Sequence, residues 1–212
     1  MAKLFLSSAG LKPETKDDFL KLLGKPPADS LVAFIATAAD PEPDKSFIQW
    51  SIDQIKEAGL KIIEIDLKGE MADTLYEKLS PADVIWVNGG NTFYLLDQIR
   101  KSGFDKIIVK LLEEGRIYFG VSAGSIVAGL SIETSGWKPE GDENLAGLTD
   151  YTAMKLAPFD IFVHYKERHK ELIKEAADIA KNPLFVLSDQ QAVIVDGEKI
   201  KVVGAGEIIK FN

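Results

Sequence analysis

Residues 120–124 read Gly-Val-Ser-Ala-Gly. A serine with glycines two positions to either side can stand on a turn so sharp that only small neighbours fit, leaving its hydroxyl exposed as a nucleophile. Here "RIYFGV" precedes Ser122 and "SIVAGL" follows, so the serine stands where a buried strand ends and a helix opens. Free N–H groups at the start of that helix would lie beside the serine oxygen and favour negative charge there. A second Ser-Ala-Gly, at 8–10, lacks the flanks: Leu6 replaces the leading glycine, no apolar helix begins at Gly10, and Pro13 follows. It reads as a loop at the carboxyl end of the first strand, an edge where Ser7 or Ser8 can line a pocket.

A serine nucleophile needs a base, and histidine is the usual one near neutral pH. The chain has two, His164 and His169, both in "FVHYKERHK". His164 ends an apolar run and is placed to face Ser122 from a strand edge; His169 reads as the solvated face of a charged helix. Their spacing is not the H-x-x-x-H of a zinc site, and there is no cysteine, so no metal is expected. The loop "VNGGNTF" after a strand offers Gly89 and Gly90, whose backbone N–H groups can point into a site, with Asn91 or Thr92 capping the helix that follows. For an acid to orient the histidine, Asp142, Glu143, Asp160 and Asp189 are all available, and the residues themselves do not choose.

The elements that must carry these groups follow from periodicity. Continuous apolar runs such as "KLFLSS", "LVAFIAT" and "DVIWVN" read as strands buried on both faces; "SFIQWSIDQIKEAG", "TFYLLDQIRKSG" and "DKIIVKLLEEG" have helical spacing with a glycine stop. After Pro13 a polar helix is expected near 17–23. This alternation predicts an α/β fold, a largely parallel twisted sheet with helices on both faces. Past Gly129 comes a loop-rich stretch, 131–151, then a strand "FDIFVHY", a charged helix, and four short strands with an Asp-Gly hairpin turn in "VDGEK". One domain is expected over 1–212. The net charge of −8, from 25 basic and 33 acidic side chains, argues against a nucleic-acid binder. The short apolar start does not read as a secretory signal and no run is long enough to span a bilayer, so a cytoplasmic location and no membrane partner are expected.

Together "VNGGNTFYLL", "GVSAGSIVAG" and "LAPFDIFVHY" resemble, in that order, the serine peptidases of the peptidase E family, which also includes cyanophycinases. The resemblance implies a three-layer α/β sandwich like that of class I glutamine amidotransferases, flavodoxin-like in plan. It implies hydrolysis of short peptides, including dipeptides with N-terminal aspartate, without a cofactor, by a monomer or homodimer. Ser122 would be the nucleophile, His164 the base, and Ala123 with Gly89 or Gly90 the oxyanion hole. In the cyanophycinase-like branch the acid follows the histidine, in a run like "LSDQQAVIV", which points to Asp189; in the peptidase E branch it follows the serine, where Trp137 stands and Asp142 is the runner-up. That segment contains no arginine to hold a substrate aspartate. A glutaminase would need a cysteine at the elbow, and an α/β-hydrolase esterase an HGGG-type motif that is absent. The remaining rival is a non-catalytic small-molecule or peptide binder on the same fold.

Overall fold

The computed structural model describes residues 2–138, 140–179 and 181–211. Its strands and helices are β1 (Lys3–Ser7), α1 (Pro13–Leu23), β2 (Leu31–Ile35), α2 (Ser46–Glu57), β3 (Lys61–Ile65), α3 (Ala72–Leu79), β4 (Val84–Val87) and α4 (Thr92–Ser102). There follow α5 (Phe104–Glu113), β5 (Ile117–Val121), α6 (Ala123–Ile126), β6 (Asp160–Phe162), α7 (Lys170–Ile179), β7 (Leu184–Val186), β8 (Gln191–Asp196), β9 (Lys199–Gly204) and β10 (Ile209–Phe211). The main sheet has the order β3-β2-β4-β5-β1-β8-β9. Its first five strands run parallel, and β8 and β9 close one side as an antiparallel hairpin. A smaller sheet, β10-β7-β6, stands apart.

The apolar runs behave as a doubly covered parallel sheet requires, with successive residues entering opposite cores. Leu4, Leu6, Ala33, Ile35, Ile85, Val87 and Tyr118 pack under α3, α4 and α5, against Leu75, Leu95, Ile99 and Ile108. Phe5, Val32, Phe34, Trp86 and Phe119 face the other way, against Phe19 and Leu22 of α1 and Ile52 and Ile55 of α2. Trp86 stacks on Phe119 with ring centroids 3.6 Å apart, and Phe119 on Phe5 at 4.7 Å. Such pairs add roughly 0.5–1.5 kcal/mol beyond burial. They also fix the level of β4, β5 and β1, whose carboxyl ends carry the candidate site.

Two expectations shift. The first helix begins at Pro13, because proline lacks only an N–H that a first turn leaves unbonded anyway. The four closing strands divide between the sheets, so β7 leaves the main sheet and pairs in parallel with β6. No helix among the described residues is long and apolar enough to cross a membrane.

Candidate active site

Parallel register brings three motifs to one place. Ser7 of β1 pairs with Val121 of β5, and Val87 of β4 with Gly120, so Ser8, Ser122 and Gly89 all emerge at the carboxyl edge of adjacent central strands. Crevices at this edge are where open α/β sheets bind ligands.

Ser122 has φ 51° and ψ −112°, a conformation that costs a non-glycine residue about 1–3 kcal/mol. Its surroundings hold it there. The Ser122 N–H donates to Ser7 O at 3.0 Å, and its carbonyl accepts from Ser125 and Ile126 N–H at 2.8 and 3.0 Å. Both flanking glycines are sterically required: a Cβ on Gly124 would lie 2.0 Å from Val87 O, and one on Gly120 would lie 2.7 Å from Gly124 O. The helix that follows is a single turn starting at Ala123.

Upstream, the glycine loop lies against this elbow. A Cβ on Gly89 would meet Ser122 Cβ at 3.2 Å, and Gly90, at φ 139°, would meet Ala38 O at 2.2 Å. The N–H groups of Gly89, Gly90 and Ala123 find no backbone acceptor among the described residues. Asn91 caps α4, its Oδ1 accepting from Tyr94 N–H at 2.9 Å.

Ser122 Oγ lies 2.8 Å from His164 Nε2, and His164 Nδ1 lies 2.6 Å from Asp189 Oδ1. With the ring proton on Nδ1, His164 donates to the carboxylate and Nε2 accepts from the serine hydroxyl. His164 stands two residues beyond β6, at φ 57°, rather than within a strand. Backbone bonds on each side brace it: Leu187 N–H donates to Phe162 O at 2.8 Å and Tyr165 N–H to Leu187 O at 3.0 Å. Asp189 lies three residues beyond β7, so pairing β7 with β6 is what sets its carboxylate behind the His164 ring. The hydrogen bond from His164 holds the Asp189 carboxyl below the ordinary aspartate range, against partial burial, with smaller help from Ser8 and Lys166.

Ser8 is the residue whose part the sequence hides. Fully buried, it accepts from His164 N–H at 2.8 Å and donates to Asp189 Oδ1 at 3.2 Å. It thus ties the backbone of His164 to the Asp189 carboxylate. Register was the available signal, since Ser8 follows the residue paired with Val121.

The other acids lie elsewhere. Asp142 does not reach His164; its Oδ2 accepts from Thr92 N–H at 2.8 Å, at the start of α4, and burial pushes its carboxyl up. Asp160 accepts from Leu130 and Ser131 N–H and anchors that loop. Glu143 meets the glycine loop through its backbone, Asn91 Nδ2 donating to its carbonyl at 2.9 Å. His169 corrects the expected solvated helix face. It belongs to a 3-10 turn at Glu167–His169 and is buried, its Nε2 lies 3.2 Å from Glu140 Oε2, and its ring meets Phe162 edge-on. A short turn can tuck inward a side chain that a regular helix would turn to solvent.

Two cavities meet at Ser122. One, of about 310 Å³, is walled by Ile126, Trp137, Phe162 and Leu172; the other, of about 300 Å³, by Phe47, Trp50, Glu42 and Asn88. Gly90, Ser122, Asp142 and His164 line both. Thr134, Trp137, Glu140 and Asp142 therefore wall part of the site, and bonds from Thr92 and Asn91 to Asp142 and Glu143 hold this stretch against the start of α4.

The model of peptidase family S51 matches residues 4–203. The chain belongs to this family. It is accordingly a serine-type peptidase. Similar proteins include an uncharacterized peptidase of Listeria innocua, 31% identical over 172 residues, covering 80% of this chain and 82% of the relative. A peptidase E of Shewanella amazonensis is 30% identical over 173 residues, covering 76% and 71%. Among solved structures, one from Listeria monocytogenes described as a candidate peptidase E superposes with a TM-score of 0.82 at 26% identity, covering 97% of this chain and all of that one. A peptidase from an acI-B1 actinobacterium, at 18% identity and a TM-score of 0.70 over 98% and 89%, shares the fold.

Proposed function

We propose that this S51 peptidase cleaves short peptides, of dipeptide size, through a Ser122–His164–Asp189 triad. Ser122 Oγ attacks the scissile carbonyl while His164 Nε2 takes its proton and Asp189 steadies the imidazolium. The Ala123 N–H, with that of Gly89 or Gly90, receives the oxyanion. The tetrahedral intermediate collapses as His164 gives its proton to the leaving amine, and water, activated by the same base, releases the acyl group. No cofactor takes part in these steps.

The observation that carries this reading is the unbroken contact from Ser122 to His164 at 2.8 Å and on to Asp189 at 2.6 Å, on an elbow whose backbone is forced. Substrate size is supported by the two cavities, each near the small end of ligand pockets, roughly 300–1,000 Å³. A non-catalytic binder would need no such chain of contacts, and this geometry speaks against it. The test is hydrolysis of a dipeptide library by the wild type and by Ser122→Ala. Turnover in the wild type that the variant abolishes is expected; equal turnover by both contradicts the assignment.

A further inference from the structure

The cavity roofed by Trp137 has a wall whose polar groups are mostly occupied. Trp137 lies nearly parallel to Phe162 with centroids 5.7 Å apart, and Ile126 and Leu172 continue the apolar surface. Thr134 Oγ1 donates to Ile161 O at 2.6 Å and Ser135 Oγ to Ile132 O at 2.7 Å, so both hydroxyls are turned to the backbone. Both ring nitrogens of His169 are engaged, Nδ1 accepting from Lys166 N–H at 3.2 Å and Nε2 facing Glu140. Arg168, next to His169 in sequence, lies 2.6 and 2.8 Å from the two Glu140 oxygens. Lys166, exposed, is the only lysine or arginine of the wall among the described residues, against Glu140 and Asp142.

An acidic substrate side chain entering here would meet the Asp142 and Glu140 carboxyls with only the exposed, solvated Lys166 ammonium to set against them, unless it took Arg168 from Glu140. An apolar one would cover Trp137 and Phe162 and leave every bond named above intact. We propose that this cavity is the specificity subsite of the enzyme and selects a large apolar side chain, aromatic or branched aliphatic, in preference to aspartate. The inference rests on Ser122 being the nucleophile, since Ser122 is what places the cavity beside the scissile bond.

The experiment measures kcat/KM for X-Ala and Ala-X dipeptides with X as Phe, Leu, Ala or Asp. In one of the two series Phe and Leu exceed Asp by at least about tenfold, the low end of what an apolar pocket discriminates. Trp137→Ala narrows the Phe-over-Ala preference by about tenfold, chiefly through KM, and thermal unfolding identifies a variant that fails to fold. Leu172→Arg, at the cavity wall, moves the preference toward Asp. Titration of the same dipeptides into Ser122→Ala reads binding without turnover and must give the same order. Asp as the best residue in both series, with Ser122→Ala inactive, overturns the apolar subsite and leaves the triad standing. Undiminished hydrolysis by Ser122→Ala overturns the triad and the subsite with it. If no dipeptide is cleaved, equal or reversed affinities of Phe and Asp dipeptides for Ser122→Ala overturn the proposal.

Discussion

Two identical tripeptides, Ser8-Ala9-Gly10 and Ser122-Ala123-Gly124, end neighbouring parallel strands, and only one presents its serine to the cleft. At β5 the residue two before the serine is Gly120, which lets the turn double back against Gly124. At β1 that place is held by Leu6, a fully buried core residue, and Ser8 stays inside with no exposed surface. The glycines differ as well. Gly124 is pressed against Val87 O, whereas Gly10 sits at φ 82° beside Gln54 and donates to Ser7 Oγ at 3.1 Å. One glycine two residues upstream separates a strained, accessible hydroxyl from a satisfied, buried one. The buried serine serves the exposed one: Ser7 O holds the Ser122 N–H and the Ser125 hydroxyl, and Ser8 holds His164 and Asp189.

The largest expected effect comes from removing the exposed hydroxyl. Ser122→Ala lowers kcat by about 10⁶-fold, as loss of a triad nucleophile does, measured as initial rates on the best dipeptide. Next, Asp189→Asn lowers kcat by roughly 10⁴-fold by disturbing the tautomer and orientation of His164. Ser8→Ala follows. It leaves the His164 N–H and one bond to Asp189 unmade, worth about 1–3 kcal/mol in buried surroundings, or roughly 5- to 150-fold in kcat with KM little changed. A loss equal to that of Ser122→Ala would break the division of labour between the two serines.

Asp142→Asn gives the smallest change, under about tenfold in kcat, because Asp142 caps α4 rather than touching the base. Its stability effect has a defined sign. Burial raises the Asp142 carboxyl, so ionisation there costs folded-state stability above its folded pKa, and the cost disappears below the unfolded value, about 3.9. Asp142→Asn, which still accepts from Thr92, therefore melts slightly higher than wild type near pH 7, and the difference closes as pH falls past 4. Asp189 runs the other way: with its folded pKa lowered, its contribution is present above about pH 3.9 and is lost as pH falls through the folded value.

The sheet and its helices were legible because the strands alternate between two cores, leaving unbroken apolar runs such as "LVAFI" and "VIWV". The elbow was legible for a steric reason, since glycine at 120 and 124 is what the close approach of backbones demands. Choosing among the acids was not possible from residues alone. It depends on β7 leaving the main sheet to pair with β6, a long-range choice that places Asp189 behind His164 while Asp142 turns to α4. Ser8 takes the expected place at the end of β1, but its burial comes from register with β5, and the burial of His169, against the solvated face expected of it, comes from a 3-10 turn packed on Phe162; local spacing reveals neither.

Covalent trapping distinguishes Ser122 from Ser8 as the reactive serine. Wild-type protein treated with a fluorophosphonate and digested for mass spectrometry should carry one adduct, on the peptide holding Ser122, at a rate that Asp189→Asn and Ser8→Ala reduce in that order. An adduct on Ser8, or undiminished labelling of Ser122→Ala, would rule out Ser122 as the nucleophile.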